Sequence, residues 1–138
     1  MIVVDGASGP ETQAVLEEIR GCCSSLISEP DDGIYDAMAK GVSRSGCPWI
    51  IFMNAGDSFA DPNVLGEAMA ILEGSPNRSI VYGDAIESPP VGNARFRRAP
   101  GFGFIKFGMP ASHQSIFYRR GVFEEFPLNN DSTSADWV

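Results

Sequence analysis

Three short apolar runs that each end on an aspartate constrain this chain more than any other feature. Residues 1–4 lead into Asp5, residues 49–53 into the turn Asn54-Ala55-Gly56-Asp57, and residues 79–82 into Gly83-Asp84. Each run reads as a strand, and the first, apolar and partly β-branched, as one buried on both faces. Segments with helical spacing separate them. In the first, Val15, Leu16 and Ile19 share a face behind Ser8 and Glu11 at capping-box spacing, with Pro10 in the opening turn and Gly21 as the stop. In the second, Ile34, Ala37, Met38 and Val42 share a face. The third is capped by Asp61 with Pro62 at its first position, carries Val64, Leu65, Ala68, Met69 and Leu72, and ends over residues 74–77. Strand propensity returns at residues 114–118, and residues 121–126 suit a short helix.

This alternation predicts an α/β fold with a mostly parallel sheet flanked by helices. Ligands of such sheets bind at the carboxyl ends of the strands. Parallel strands would bring Asp5, Asp57 and Asp84 to one edge, where a divalent cation and a diphosphate fit. An aspartate after a strand is also ordinary turn chemistry, so the argument rests on the three together.

With 138 residues, 43% hydrophobic and 20% charged, the chain suits one folded domain and excludes a disordered, collagen-like or coiled-coil polypeptide. The net charge of −8 argues against binding a nucleic-acid backbone, which needs clustered Lys and Arg. A phosphate ligand would need a bridging cation. Cys22, Cys23 and Cys47 form no CxxC pair and His113 is the one histidine, which disfavours structural zinc and fits a reducing compartment. No basic stretch leads into a long apolar run at the N-terminus, and the longest apolar run is far too short to span a bilayer.

Residues 28–41, Ser-Glu-Pro-Asp-Asp-Gly-Ile-Tyr-Asp-Ala-Met-Ala-Lys-Gly, resemble the "SEPDxGIYDAMNKG" segment of family 2 glycosyltransferases, and within them the colanic-acid type that builds bacterial surface polysaccharides. Val3-Val4-Asp5-Gly6-Ala7-Ser8 resembles the "VDGGS" turn of that family. Residues 49–57 resemble its "WIIFLNAGD" strand, which carries a DXD-type metal motif. Val81-Tyr82-Gly83-Asp84 and residues 110–115 match in kind, and Ala135-Asp136-Trp137 stands where the family places its catalytic carboxylate.

The resemblance implies a single, partial GT-A domain over residues 1–138 that binds a nucleotide-sugar and transfers the sugar to a hydroxyl of a saccharide or lipid-linked saccharide. It places Asp5 near the nucleobase, and Asp31, Asp36 and Lys40 in the loop and helix beside the nucleotide. Asn54 and Asp57 belong to the donor site, with Asp57 holding Mg²⁺ or Mn²⁺. Asp136 would be the general base of an inverting transfer, and His113 lies on the acceptor side. A cytoplasmic location, or one peripheral to the inner membrane, goes with such acceptors.

The residues themselves leave alternatives. His113 is either an acceptor-side group or a hydrogen-bonded structural histidine, and Lys40 either a site residue or a solvated helix lysine. The segment 87–112 has lost any period: Arg95, Arg97, Arg98 and Lys106 alternate with Phe96, Phe102, Phe104 and Phe107. It reads as an acceptor lid or as packing beneath a long loop, and its arginines as a phosphate contact or a solvated face. Departures from the family pattern also count. Met1 opens on the family's second strand, Ala39 replaces an asparagine, Asn54 and Gly56 replace acids of the metal motif, and the chain stops just after Asp136. The expectation is a fragment, a truncated product, or a short form whose open sheet edge a second copy covers. Two other functions compete: a non-catalytic nucleotide-binding remnant of the fold, and a metal-dependent phosphoryl hydrolase.

Overall fold

The computed structural model describes residues 1–89, 91–106 and 111–128. The chain forms two compact units, one from Met1–Pro48 with the segment that begins at Arg120, the other from Trp49–Arg119.

The first unit is built on a β-α-β arrangement. Strand β1 (Ile2–Asp5) pairs in parallel with β2 (Ser25–Ser28), Ile2 opposite Ser25 and Asp5 opposite Ser28. Helix α1 (Pro10–Ile19) connects them, followed by one tight turn at Arg20–Cys22. The expected capping box does not form. Gly9 is the N-cap, with Pro10 at the first helical position, and no side chain caps the helix. The reason is local: the Ser8 N–H donates to Asp5 Oδ2 at 3.1 Å, so Ser8 is drawn to the preceding aspartate.

Helix α2 (Ile34–Arg44) packs on β1. It starts at Gly33, whose φ of 114° is the left-handed region that favours glycine, and Gly33 O accepts the N–H of Asp36 and of Ala37. Five residues after strand β3 (Trp49–Ile51) the second unit turns through Gly56, at φ 95°. The Asp57 N–H donates to Asn54 O at 3.0 Å across that turn. A type II-like turn needs a positive φ at its third residue, so Gly56 is what lets the chain present Asp57.

The second unit departs from the mostly parallel expectation. Its main sheet has the order β3, β7 (Ile116–Arg119), β4 (Ile80–Tyr82), and both pairings are antiparallel. Strand β7 returns between β3 and β4, so those two run parallel to each other without touching. Strands β5 (Ala85–Glu87) and β6 (Arg95–Arg97) add an antiparallel hairpin. Helix α3 (Val64–Glu73) begins two residues later than its Asp-Pro signal. Asp61 Oδ1 instead accepts the Asn63 N–H at 2.7 Å in the turn before the helix. Helix α4 (Val122–Glu125) closes the described chain, and the Arg120 N–H joins it to the first unit through Pro48 O at 2.9 Å.

Full burial is concentrated in few side chains. Leu16 of α1, Leu72 of α3 and Ile116 of β7 are the fully buried apolar residues among those described. The α3 face expected inside is buried only at Leu72, while Leu65 and Met69 stay exposed. One cation secures the second sheet. The Arg119 guanidinium stacks 4.7 Å from the Trp49 ring centre and donates to Arg78 O and Pro76 O, each at 2.9 Å, tying the turn after α3 to β7.

Candidate functional site

Asp5 ends β1 and is 9% exposed. Its Oδ2 accepts three hydrogen bonds, from the Ser8 N–H, from Gln13 Nε2 at 2.9 Å and from the Ser28 hydroxyl at 2.7 Å. The Ser8 side chain first, then the Ser28 hydroxyl, hold the Asp5 carboxyl below the usual carboxylate range. A carboxylate in that setting stays ionised and ties the end of β1 to α1 and β2. Ala7 follows with φ 61°, a conformation uncommon for a residue with a Cβ, of the kind that gathers at working loops.

The acidic loop 29–33 lies against this turn. An ideal Cβ built on Gly6 would stand 2.5 Å from Asp31 Oδ2, so glycine alone leaves room for Asp31 there. Asp31 Oδ1 accepts the Gly33 N–H at 3.0 Å, and Asp36 Oδ2 accepts the Asp32 N–H at 3.2 Å. Lys40 fastens the loop to α2. Its Nζ lies 2.9 Å from Asp36 Oδ2 and 3.1 Å from Glu29 Oε1, and donates to Pro30 O at 3.0 Å. The hydrogen bond from Lys40 lowers the Asp36 pKa, and the same contact raises that of Lys40. Asp5, Asp31, Asp36 and Lys40 therefore stand in one unit, on two loops that touch. Gln13 and Ser28, which complete the Asp5 network, were not legible as partners, because nothing in their spacing links α1 to β2.

The other candidates belong to the second unit. Since β3 and β4 are both antiparallel to β7, their carboxyl ends and the amino end of β7 share one edge of the sheet. Asp57 follows β3, Asp84 follows β4, and Ser112, Gln114 and Ser115 precede β7. All five line one open hollow of about 1110 Å³. Its floor includes Ile51, Val81 and Phe117, which are register partners on one face of the sheet, and α3 contributes Val64, Ala68, Ile71 and Leu72. Asp84 Oδ1 accepts the Ala99 N–H at 2.8 Å, and Ser112 Oγ donates to Gln114 Oε1.

His113 does not line the hollow. Its Nδ1 lies 3.3 Å from the Tyr118 hydroxyl, and Tyr118 pairs with Ile50 and Ile80 one register step away from Phe117. Alternation along β7 puts that tyrosine on the opposite face. Burial lowers the His113 pKa. Asn54 stays at the turn as the carbonyl partner of Asp57. Asp136 lies outside the described residues. In the second unit Asp57 and Asp84 follow strands that share one edge of the sheet, while Asp5 ends a strand of the first unit.

Among the described residues no three His, Cys, Asp or Glu side chains come together as a metal ligand set. Magnesium-type ions are commonly held by one or two carboxylates and complete their shell with water and substrate phosphates. Asp57 and Asp84 offer hard oxygen ligands on an open edge and fit that pattern. The three cysteines are free. No helix of the described residues is long and apolar enough to cross a membrane.

Comparison with known proteins agrees with the motifs. A PGL/p-HBAD biosynthesis glycosyltransferase of Mycobacterium bovis is 31% identical over 99% of this chain and 55% of its own length. A protein of the same description from Mycobacterium tuberculosis matches equally. An uncharacterized glycosyltransferase of Mycobacterium tuberculosis is 32% identical over 85% of this chain and 45% of its own. The chain spans about half the length of the curated relatives it matches. No solved structure matches it. The family model of glycosyl transferase family 2 matches residues 1–130, and the chain belongs to that family.

Proposed function

We propose that the chain carries the donor-binding part of a glycosyltransferase, which moves a sugar from a nucleotide-sugar to a hydroxyl of a saccharide or lipid-linked saccharide. The family membership supports a donor and an acceptor of this kind. The observation that carries the reading is the shared edge of the second sheet, where Asp57 and Asp84 open onto one hollow. The residue segment 28–41 favours the surface-polysaccharide type within the family, acting at the cytoplasmic side of a membrane.

In this reading the loops around Asp5, Asp31 and Asp36 hold the nucleoside, with Lys40 keeping the loop 29–33 in place. Asp57, which lines the hollow with Asp84, would hold a Mg²⁺ or Mn²⁺ ion. When bound, the ion neutralises charge on the departing diphosphate. The transfer is a single displacement with inversion. The acceptor oxygen bonds to the anomeric carbon, the bond from that carbon to the diphosphate oxygen breaks, and the acceptor proton passes to Asp136. A general base must come within about 3 Å of that proton's oxygen.

Asp136→Asn tests the assignment of the base. Transfer of labelled sugar should cease while nucleoside diphosphate affinity is kept, as for a group used in the transition state alone. Retained turnover would remove Asp136 from the mechanism.

A further inference from the structure

The hollow of the second unit carries charge of both signs, unequally. Among its described lining residues stand the carboxylates of Asp57, Glu67, Asp84 and Glu87 and one cationic side chain, Arg95. Arg95 opens β6. In the hairpin register it stands directly opposite Glu87, while Arg97 stands opposite Ala85. Directly opposite residues lie closer than diagonal ones, so Glu87 is expected to pair with Arg95. It does not. Glu87 Oε1 accepts from Nη1 of Arg97, its diagonal neighbour. Among the described residues Arg95 has no hydrogen-bond or ion-pair partner for its side chain.

The arginines of this segment therefore differ. Arg97 is occupied by Glu87, Arg98 does not line the hollow, and Arg95 lines it uncommitted. A diphosphate entering the hollow meets its carboxylates. A divalent cation at Asp57 offsets the charge of the diphosphate and leaves that of the other acids. Arg95 is the remaining positive charge of the lining, and a guanidinium presents its N–H groups as a planar fork that matches phosphate oxygens.

We propose that Arg95 binds the diphosphate of the nucleotide-sugar, and that the Arg97–Glu87 ion pair keeps Arg95 available by occupying the carboxylate opposite it. The ion pair is exposed, its side chains at 68% and 51%, so it adds little to stability. Its effect is on Arg95: Glu87, once released, takes the arginine opposite. When the bond from the anomeric carbon breaks, its electron pair stays on the diphosphate oxygen, and the Arg95 donors meet the charge that grows there. The inference rests on the transferase reading, which supplies the diphosphate.

The test titrates the 138-residue chain, with Mn²⁺ present, with UDP, GDP, ADP and CDP, with the matching nucleosides, and with methyl phosphate. Binding is followed in ¹H–¹⁵N NMR spectra, which also report whether each variant is folded. In Arg95→Met the affinity for the nucleoside diphosphate that the parent binds should fall about tenfold, the low end for a hydrogen bond to a charged group, with nucleoside affinity unchanged. Arg95→Lys, which keeps the charge without the fork, should fall between the two. Arg98→Met should match the parent. Arg97→Met should lose affinity as well, and Arg97→Met/Glu87→Gln should regain it, a rescue that a merely structural role of the ion pair would not produce. Unchanged diphosphate affinity in Arg95→Met, or an equal loss for nucleoside and diphosphate, overturns the assignment and leaves the transferase reading standing. Methyl phosphate binding that depends on Arg95 while nucleoside diphosphate affinity does not would place the arginine on an acceptor phosphate and overturns it too. A double variant that stays weak removes the role given to the ion pair. A parent chain that binds none of the nucleoside diphosphates overturns the inference together with the transferase reading.

Discussion

Gly6→Ala offers a direct test of how the two loops of the first unit fit together. The added Cβ would lie 2.5 Å from Asp31 Oδ2, 3.1 Å from its Cγ and 3.3 Å from Oδ1. Non-bonded carbon–oxygen contacts settle near 3.3–3.6 Å, so the carboxylate oxygen must retreat by about 1 Å. Asp31 has a short side chain and already accepts the Gly33 N–H, so it must leave its rotamer or carry the loop with it. An off-rotamer side chain costs about 0.5–1.5 kcal/mol. Replacing a glycine by alanine where alanine fits stabilises by about 0.4–1 kcal/mol through the unfolded chain. The net change in stability is therefore small, and the single variant alone would mislead. The double-mutant cycle with Asp31→Ala separates the two terms. Removing the carboxylate should turn Gly6→Ala from neutral or unfavourable into stabilising, with a coupling energy of about 1 kcal/mol, within the range for residues in contact. The assay is urea denaturation of the four proteins. Nucleoside diphosphate affinity should fall in Gly6→Ala by tenfold or more, because displacements of about 1 Å at positioning groups are costly. Strict additivity of the two substitutions would refute the close approach of Gly6 and Asp31.

Two further predictions concern stability. The Asp36 pKa lies below its ordinary 3.8, so the Lys40–Asp36 contact stabilises the fold above that pH and is lost as pH falls through the lowered folded value. Lys40, raised above 10.5, contributes below that pH and loses its contribution as pH rises through the raised value. Lys40→Met should lower the melting temperature at pH 7 and flatten both limbs of its pH profile; an unchanged profile in melts from pH 2 to 12 would contradict the loop-fastening role. Leu72→Ala removes a side chain that is 1% exposed and should cost about 2–5 kcal/mol, measured by denaturant unfolding. A loss below about 1 kcal/mol would mean that α3 is not anchored there.

The sequence showed the elements better than their arrangement. Strands at 49–53 and 79–82 were legible because apolar runs bounded by turn residues leave few other readings. Strand β2 was not, because Leu26 and Ile27 are neighbours between serines and give no alternation, and its extended form comes from pairing with β1. The insertion of β7 between β3 and β4 was equally hidden, since an apolar run carries no information on its neighbours. That insertion replaced a mostly parallel sheet with antiparallel pairings, yet kept Asp57 and Asp84 on one edge, because two strands antiparallel to a third are parallel to each other. The hairpin 85–97 escaped notice as two three-residue strands around a long turn. The Asp5 turn was recognised by its motif, but its bonding was not: Ser8 matched a helix cap in spacing and serves Asp5 in the structure.

The most direct test of the central claim is a thermal melt of the parent chain and Asp57→Asn, with and without Mn²⁺ plus each of several nucleoside diphosphates. A ligand bound by the folded state alone stabilises it by about 2.7 kcal/mol at a hundredfold excess over its dissociation constant. For a domain of this size that is a rise of roughly 8–15 °C. The account predicts such a rise with one nucleotide, dependent on Mn²⁺ and lost in Asp57→Asn. A cooperative melt that no nucleotide shifts, or a shift that Asp57→Asn leaves intact, would contradict it.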